Sequence, residues 1–131
     1  MPKEINVVGA VCLKDGSVFT AKRGPVKSMA GLWKFPGGKI EPGETPEAAL
    51  ARELREELLI EAEVLQPLET TRYKYSFAVV KLSTYLCEIV SGTPVLTEHV
   101  EVRWVPISML PTLEWAPADV PTVDLLQERF R

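Results

Sequence analysis

The segment 45–60 constrains the fold more than any other part of the chain, because its pattern is that of an amphipathic helix. We predict a helix over Pro46–Leu59, with Thr45 as its N-cap and proline at the first helical position. Apolar side chains recur about every four residues and therefore face a core: Ala49, Leu50, Leu54 and Leu58. Glutamates occupy another face, so the helix packs on one side and presents charge on another.

Segments rich in Val, Leu, Tyr, Thr and Phe lie on both sides of this helix and are typical of strands. Residues 23–45 are glycine-rich and predicted to be irregular, and loops of that length inside a compact domain usually have a function. The other predicted elements are strands at Ile5–Leu13, Val18–Lys22, Glu61–Tyr73, Tyr75–Val90 and Val100–Val105, a helical turn at Pro106–Leu110 and a helix at Val120–Phe130. The order β-β-loop-α-β-β-β-α predicts an α/β (α+β) fold in which helices cover both faces of a mixed sheet.

Length and charge narrow the functional classes. The 131 residues fit a single domain, 1–131, and 46% apolar residues suffice for a core. The net charge of −3 argues against a nucleic-acid polymer as partner, because proteins that bind one usually carry a basic surplus. Ile5–Leu13 is too short to span a membrane, and we expect a cytoplasmic protein with Cys12 and Cys87 as buried thiols.

Three glutamates of the predicted helix, Glu53, Glu56 and Glu57, are spaced i, i+3, i+4 and therefore share one face. Like charges at this spacing destabilise a helix by a few tenths of a kcal/mol per pair. Two interpretations stay open: a solvated acidic face, or a site for a divalent cation, since Mg²⁺ prefers carboxylate oxygens. The preceding Gly37-Gly38 pair lets the backbone approach an ion, and Lys39 offers a positive charge to a phosphate.

Residues 38–60 resemble the Nudix box, whose pattern is Gly-x5-Glu-x7-Arg-Glu-apolar-x-Glu-Glu-x-Gly-apolar. The positions that match are Gly38, Glu44, Arg52, Glu53, Leu54, Glu56, Glu57 and Ile60. Leu59 stands where the family has glycine. Either leucine takes the left-handed helix end at a cost of about 1–2 kcal/mol, or the helix ends differently. Residues 31–39 and 115–121 are also similar to segments of MutT-type Nudix hydrolases, so the likeness covers most of the chain.

The resemblance implies a Nudix fold and metal-dependent hydrolysis of a nucleoside triphosphate to the monophosphate and pyrophosphate. It implies Mg²⁺ or Mn²⁺ as the cofactor and a small nucleotide as the partner of a monomer or homodimer. The implied metal ligands are the Gly37 carbonyl and the carboxylates of Glu53, Glu56, Glu57 and Glu98. Glu53 or Glu98 would orient or deprotonate the attacking water, while Arg52 would orient Glu53.

The resemblance also implies four substrate-binding residues: Arg23, Phe35, Lys39 and Asp119. Asp119 is the most discriminating, because an ionised aspartate only accepts hydrogen bonds and suits an exocyclic amino group such as N4 of cytosine. MutT-type relatives that act on oxidised guanine nucleotides carry Asn there, whereas Pro-Ala-Asp resembles relatives acting on cytidine triphosphates. A cap of the last helix is the alternative role of Asp119.

Clearance of cytidine, oxidised or otherwise modified nucleotides is therefore the expected function. Two alternatives stay open. One is hydrolysis of a nucleoside-diphosphate derivative such as a dinucleoside polyphosphate or ADP-ribose, although no segment for a second nucleotide half is evident. The other is a non-catalytic Nudix module that binds nucleotides, although such modules usually lose the box carboxylates that this chain retains.

Overall fold

The structure, a computed structural model, describes residues 3–23, 31–95 and 101–130. Its strands are β1 (Glu4–Lys14), β2 (Ser17–Lys22), β3 (Trp33–Lys34), β4 (Gly37–Lys39), β5 (Glu61–Lys74), β6 (Val79–Ser91) and β7 (Glu101–Pro106). Its α-helices are α1 (Pro46–Leu58) and α2 (Val120–Arg129), and two 3-10 turns span Ile107–Thr112 and Pro117–Asp119. The predicted order of strands and helices is confirmed, and two short strands, β3 and β4, are added within the segment that was predicted to be a loop.

The mixed sheet is organised around β1. This strand runs parallel to β6 from Glu4 to Cys12, and β6 runs antiparallel to β5. The other edge of β1 is shared, because β4 pairs with Val7–Gly9 whereas β2 pairs with Leu13 and Lys14. β2 then pairs antiparallel with β3 and with β7. Parallel and antiparallel pairs thus occur in one sheet, as predicted.

The two helices lie on opposite faces of this sheet. One buried cluster joins α1 to the sheet and contains Ala49, Leu50, Leu54, Leu58, Val8, Ala10, Cys12 and Phe19. A second joins α2 to the other face and contains Val123, Leu126, Val11, Val18, Phe35, Val105, Ile107 and Leu110. β1 contributes to both clusters because successive side chains of a strand point to opposite faces. Cys12 and Cys87 are buried free thiols, as predicted.

The predicted Thr45 cap of α1 is confirmed, and the left-handed end is the one of the two possibilities that the structure has at Leu59. The Thr45 hydroxyl accepts a hydrogen bond from the Ala48 N–H at 3.1 Å. Leu59 ends the helix in the left-handed region, with φ 57° and ψ 39°, and its N–H donates to the Arg55 carbonyl at 3.1 Å. Within the described ranges, no helix has the length and apolarity that a membrane crossing requires.

The loop predicted at residues 23–45 contains strands β3 and β4, so that prediction is wrong in part. Glycines disfavour strands locally, but β4 gains hydrogen bonds from the free edge of β1. A side chain at Gly37 would collide with the Val8 carbonyl oxygen, so only glycine lets the two backbones approach this closely. The pairing holds the Gly37-Gly38 backbone beside α1.

The strand predicted to begin at Tyr75 begins instead at Val79. Residues 75–78 form a turn that the Tyr75 N–H closes by donating to the Ala78 carbonyl at 2.8 Å. The turn is required because β5 and β6 are antiparallel neighbours that pair up to Lys74 and Val79. It leaves Tyr75 and Phe77 outside the strand ladder.

Candidate active site

Arg52 on α1 ties the helix to the segment before it. Its Nε and Nη2 atoms donate to the two carboxylate oxygens of Glu44 at 2.7 and 2.9 Å, and Nη2 also donates to the Lys39 carbonyl at 3.1 Å. Nη1 donates to Glu53 at 3.0 Å and to Glu56 at 3.3 Å. The hydrogen bond from Arg52 is the largest cause that lowers the pKa of Glu44 to about 2. An ionised pair thus fixes the guanidinium, which in turn orients Glu53.

Glu53 is turned inward against the backbone of β4. Its side chain is 14% exposed, and a methyl group built at Gly38 would lie 2.5 Å from its Cδ atom. Glycine at position 38 therefore leaves the space that the Glu53 carboxylate occupies. Glu57 is also partly buried, whereas the Glu56 side chain is 61% exposed. The three glutamates of the helical face thus differ in burial: Glu53 and Glu57 are partly buried, and Glu56 is exposed.

The oxygen donors at this place fit a hard divalent cation. Carboxylates of α1 and backbone carbonyls of β4 are the ligand types that Mg²⁺ accepts, and the gap at Gly38 brings them together. No three His, Cys, Asp or Glu side chains of residues 3–23, 31–95 and 101–130 converge on one point. Mg²⁺ commonly takes only one or two carboxylates and completes its shell with water and substrate phosphates. Glu98, a further implied ligand, lies outside the described residues.

A cavity of about 390 Å³ opens beside β4. Its wall includes all four residues that the sequence predicted as substrate-binding: Arg23, Phe35, Lys39 and Asp119. Gly37 and Gly38 also line it, so the cavity is continuous with the backbone against which Glu53 packs. Its volume falls within the usual range for small-molecule sites, about 300–1,000 Å³. Residues far apart in sequence are therefore assembled into one pocket next to the acidic helix.

Asp119 is buried in the wall of this cavity, with 6% of its surface exposed. Its Oδ1 atom accepts a hydrogen bond from the Phe35 N–H at 3.1 Å, and its side chain makes no capping hydrogen bond to α2. The alternative cap role is therefore wrong. Burial is the largest cause that raises its pKa to about 7, while the Phe35 N–H, Lys34 and Arg23 act in the opposite direction. Both protonation states are thus accessible near neutral pH.

Three aromatic side chains, Phe35, Tyr75 and Phe77, form part of the wall. Phe35 is buried and packs on Trp115 with ring centroids 4.8 Å apart. Tyr75 and Phe77 lie on the turn after β5, with centroids 5.2 Å apart and planes inclined by 9°. The Tyr75 hydroxyl accepts a hydrogen bond from the Ala118 N–H at 2.9 Å, which fixes this turn to the segment that carries Asp119.

Lys34, Tyr75 and Phe77 are among the cavity-lining residues that were not predicted. Lys34 alternates along β3 with the buried Trp33, and this alternation is the sequence signal that could have placed it on the cavity side. Tyr75 and Phe77 share an i, i+2 spacing, but they were interpreted as part of a strand. Their place in a turn depends on where β5 and β6 stop pairing, which no local pattern indicates.

Comparisons with known proteins find the same family over nearly the whole chain. The NUDIX domain family model matches residues 3–126. The CTP pyrophosphohydrolase of Escherichia coli K12 is 37% identical over 122 residues, which cover 93% of this chain and 90% of that protein. The 8-oxo-dGTP diphosphatase of the same organism is 32% identical over 120 residues, covering 92% and 93%.

Solved structures agree with this result. The solution NMR structure of the DNA mismatch repair protein MutT, a Nudix hydrolase from methicillin-resistant Staphylococcus aureus 252, is 43% identical to this chain. It superposes with a TM-score of 0.80 and covers 98% of this chain and 99% of its own. The mixed sheet between helices is thus the architecture of a solved MutT protein.

Proposed function

The chain belongs to the Nudix family, and from this membership we propose that it hydrolyses a nucleoside triphosphate to the monophosphate and pyrophosphate. The cavity wall carries the proposal: Arg23, Phe35, Lys39 and Asp119 line one pocket that adjoins Gly38 and the inward-turned Glu53. A nucleotide needs that combination, with apolar and hydrogen-bonding groups for the base and charged groups for the phosphates.

Nudix hydrolases generally depend on a divalent metal, and we propose Mg²⁺ or Mn²⁺ here. Bound, such an ion would polarise a phosphoryl oxygen and lower the pKa of the attacking water. The residues proposed to hold it are the Gly37 carbonyl and the carboxylates of Glu53, Glu56, Glu57 and Glu98. Glu53 and Glu57 fit this role best among the described ligands, because the Glu56 side chain is largely exposed.

The chain's own residues act on water and phosphate. Glu53 accepts a proton from the attacking water while the water oxygen forms a bond to one of the two phosphorus atoms of the α–β linkage. The bond from that phosphorus to the bridging oxygen breaks, and the products are the monophosphate and pyrophosphate. Arg52 does not touch the substrate in this proposal; it holds the Glu53 carboxylate through Nη1 while Glu44 holds Arg52. Arg23 and Lys39 offset the negative charge of the phosphates from the cavity wall.

Asp119 is proposed to recognise the base. The ionised carboxylate would accept a hydrogen bond from the N4 amino group of cytosine, whereas the protonated form can also donate, as an oxidised guanine requires. A pKa of about 7 supports both forms near neutral pH. The two E. coli relatives act, by name, on CTP and on 8-oxo-dGTP, and we propose that cytidine and oxidised guanine triphosphates are the substrates to test first.

Pyrophosphate release from a panel of triphosphates with Mg²⁺ tests the proposal: CTP, dCTP, 5-methyl-dCTP, dGTP and 8-oxo-dGTP. We expect monophosphate and pyrophosphate in equal amounts from the cytidine or the oxidised guanine nucleotides. Glu53→Gln should lower kcat by about 10²- to 10⁴-fold, which is the usual contribution of general acid–base catalysis. The matched control is Glu63→Gln, an exposed glutamate of β5 that should leave kcat unchanged.

Other results would contradict the proposal in distinct ways. Cleavage of ADP-ribose or of a dinucleoside polyphosphate, with no triphosphate cleaved, would favour the diphosphate-derivative alternative. Nucleotide binding without pyrophosphate release would indicate a non-catalytic module. Full activity in Glu53→Gln would remove Glu53 from its proposed role.

A further inference from the structure

We infer that Lys34 binds the α-phosphate of the nucleotide, at the place where the base-binding wall of the cavity meets the acidic helix. This inference rests on the proposed function, because it assumes that the cavity holds a nucleotide. Lys34 lies on the cavity wall with both Asp119 and Gly38. The Nudix box does not include position 34, so the role comes from the structure of this chain.

The backbone of β3 holds Lys34 firmly. The Trp33 N–H donates to the Glu114 carbonyl at 2.8 Å, and the Ala116 N–H donates to the Trp33 carbonyl at 2.9 Å. On the other side, Ala21 of β2 is the sheet partner of Lys34. The next residue, Phe35, donates its N–H to Asp119. A lysine on such a backbone keeps a defined position relative to the residue proposed to recognise the base.

Charged side chains of the cavity wall and of α1 both interact electrostatically with the Lys34 amine. Its electrostatic neighbours are Arg23 and Asp119 from the cavity wall and Glu53 and Glu57 from α1. Within the described part of the chain, the Lys34 amine makes no hydrogen bond or salt bridge with Asp119 or Glu53. The amine thus lies within electrostatic reach of both the base-binding carboxyl and the acidic helix.

A nucleoside triphosphate has the geometry that this arrangement requires. Its α-phosphate is attached to the ribose and therefore lies between the base and the two outer phosphates. With the base at Asp119 and the outer phosphates at α1, the α-phosphate comes next to Lys34. An ammonium group is a compact point charge with three donors and is well suited to phosphate oxygens. Lys34 would thus hold the phosphate that stays with the nucleoside after cleavage.

The protonation of Lys34 is compatible with this role. Burial is the largest cause that lowers its pKa, and Arg23 acts in the same direction, whereas Glu57, Asp119 and Glu53 raise the pKa. A bound phosphate adds negative charge next to the amine and favours its ammonium form. The charge-assisted contact is made by the ammonium form, so protonation of the amine and binding of the phosphate favour each other.

Binding of monophosphates and nucleosides tests the inference without turnover and without metal. Calorimetric titration in EDTA compares CMP with cytidine and 8-oxo-dGMP with 8-oxo-deoxyguanosine. The variants are Lys34→Met and Lys34→Gln, and the matched control is Lys14→Met, an exposed lysine at the end of β1. Thermal unfolding of each variant shows that it is folded before its affinity is measured.

We expect both Lys34 variants to weaken monophosphate binding about tenfold, the scale of one charge-assisted hydrogen bond, and to leave nucleoside binding unchanged. Lys14→Met should change neither. An unaltered preference for monophosphate over nucleoside in a folded Lys34 variant would overturn the inference. An equal loss for both ligands would do the same, because it would indicate a structural role only. If the wild type binds no nucleoside and hydrolyses no triphosphate, the proposed function itself fails.

Discussion

The Asp119 carboxyl accepts the Phe35 backbone N–H at 3.1 Å, which joins the start of α2 to β3 across 84 residues of sequence. This bond occupies Oδ1, and within residues 3–23, 31–95 and 101–130 the other oxygen of Asp119 accepts no hydrogen bond. A buried carboxyl with one oxygen uncommitted, on the wall of a cavity, is placed to select a ligand by hydrogen bonding.

Asp119→Asn should raise activity on 8-oxo-dGTP relative to dCTP by about tenfold, the scale of one hydrogen bond. The amide donates as well as accepts, whereas ionised aspartate only accepts. The measurement is the ratio of kcat/KM for the two substrates at about pH 8, where Asp119 is mostly ionised because its pKa is about 7. The difference from the wild type should shrink at about pH 6. An unchanged ratio with both rates intact would exclude base selection by Asp119.

Asp119 should also make stability depend on pH. Its pKa is about 7 in the folded protein against an ordinary value of 3.8, so between these values the folded state holds the proton more tightly than the unfolded state. The free energy of unfolding contributed by this group is therefore fully present below about pH 4 and falls as pH rises to about 7. Urea unfolding of the wild type and of Asp119→Asn at several pH values isolates this contribution. Parallel stability curves would contradict the raised pKa.

Gly38→Ala should inactivate the protein with little change in stability. The added methyl group would lie 2.5 Å from the Glu53 Cδ atom, so the carboxylate must move. That atom is at the end of a flexible side chain, so the move costs little folding energy, but a misplacement of about 1 Å can lower kcat about 10²-fold. Gly9→Ala is the control, because its added methyl would meet neighbours at 3.4 Å, an ordinary contact. Wild-type kcat in Gly38→Ala would show that the Glu53 position is not critical.

Leu59→Gly should raise the free energy of unfolding by about 0.5–1 kcal/mol. Relief of the left-handed conformation gains about 1–2 kcal/mol, and the greater freedom of glycine in the unfolded chain offsets about 0.4–1 kcal/mol of it. The Leu59 side chain is 59% exposed, so its loss removes little packing. Leu59→Ala keeps the strained backbone and should gain nothing. Chemical denaturation gives the stabilities, and kcat should stay unchanged in both variants.

Local patterns along the chain predicted α1 well. The apolar stripe of α1 and the Thr45 cap depend on residues within about four positions of one another, whereas the way in which the helix ends at Leu59 was left open by the sequence. The spacing of the glutamates relative to Arg52 is equally local, and the contacts of Arg52 with Glu53 and Glu56 follow from it. Physical spacing alone left the role of the acidic face open, and the resemblance to the Nudix box added the prediction that this face takes part in a reaction.

Which parts of the chain meet at the cavity depends on the tertiary structure and could not be predicted from local sequence. The turn with Tyr75 and Phe77 exists because β5 and β6 stop pairing there, and β4 exists because β1 has an open edge for two glycines. The Asp119 side chain bonds to the Phe35 N–H and not to the helix that follows it. Lys34 lies within electrostatic reach of both Asp119 and α1. The helix and its charged face follow from local sequence, since the backbone hydrogen bonds of a helix join residues that are near neighbours in the chain. Contacts between distant residues depend instead on how strands pair and faces pack, and that is settled only when the whole chain is folded.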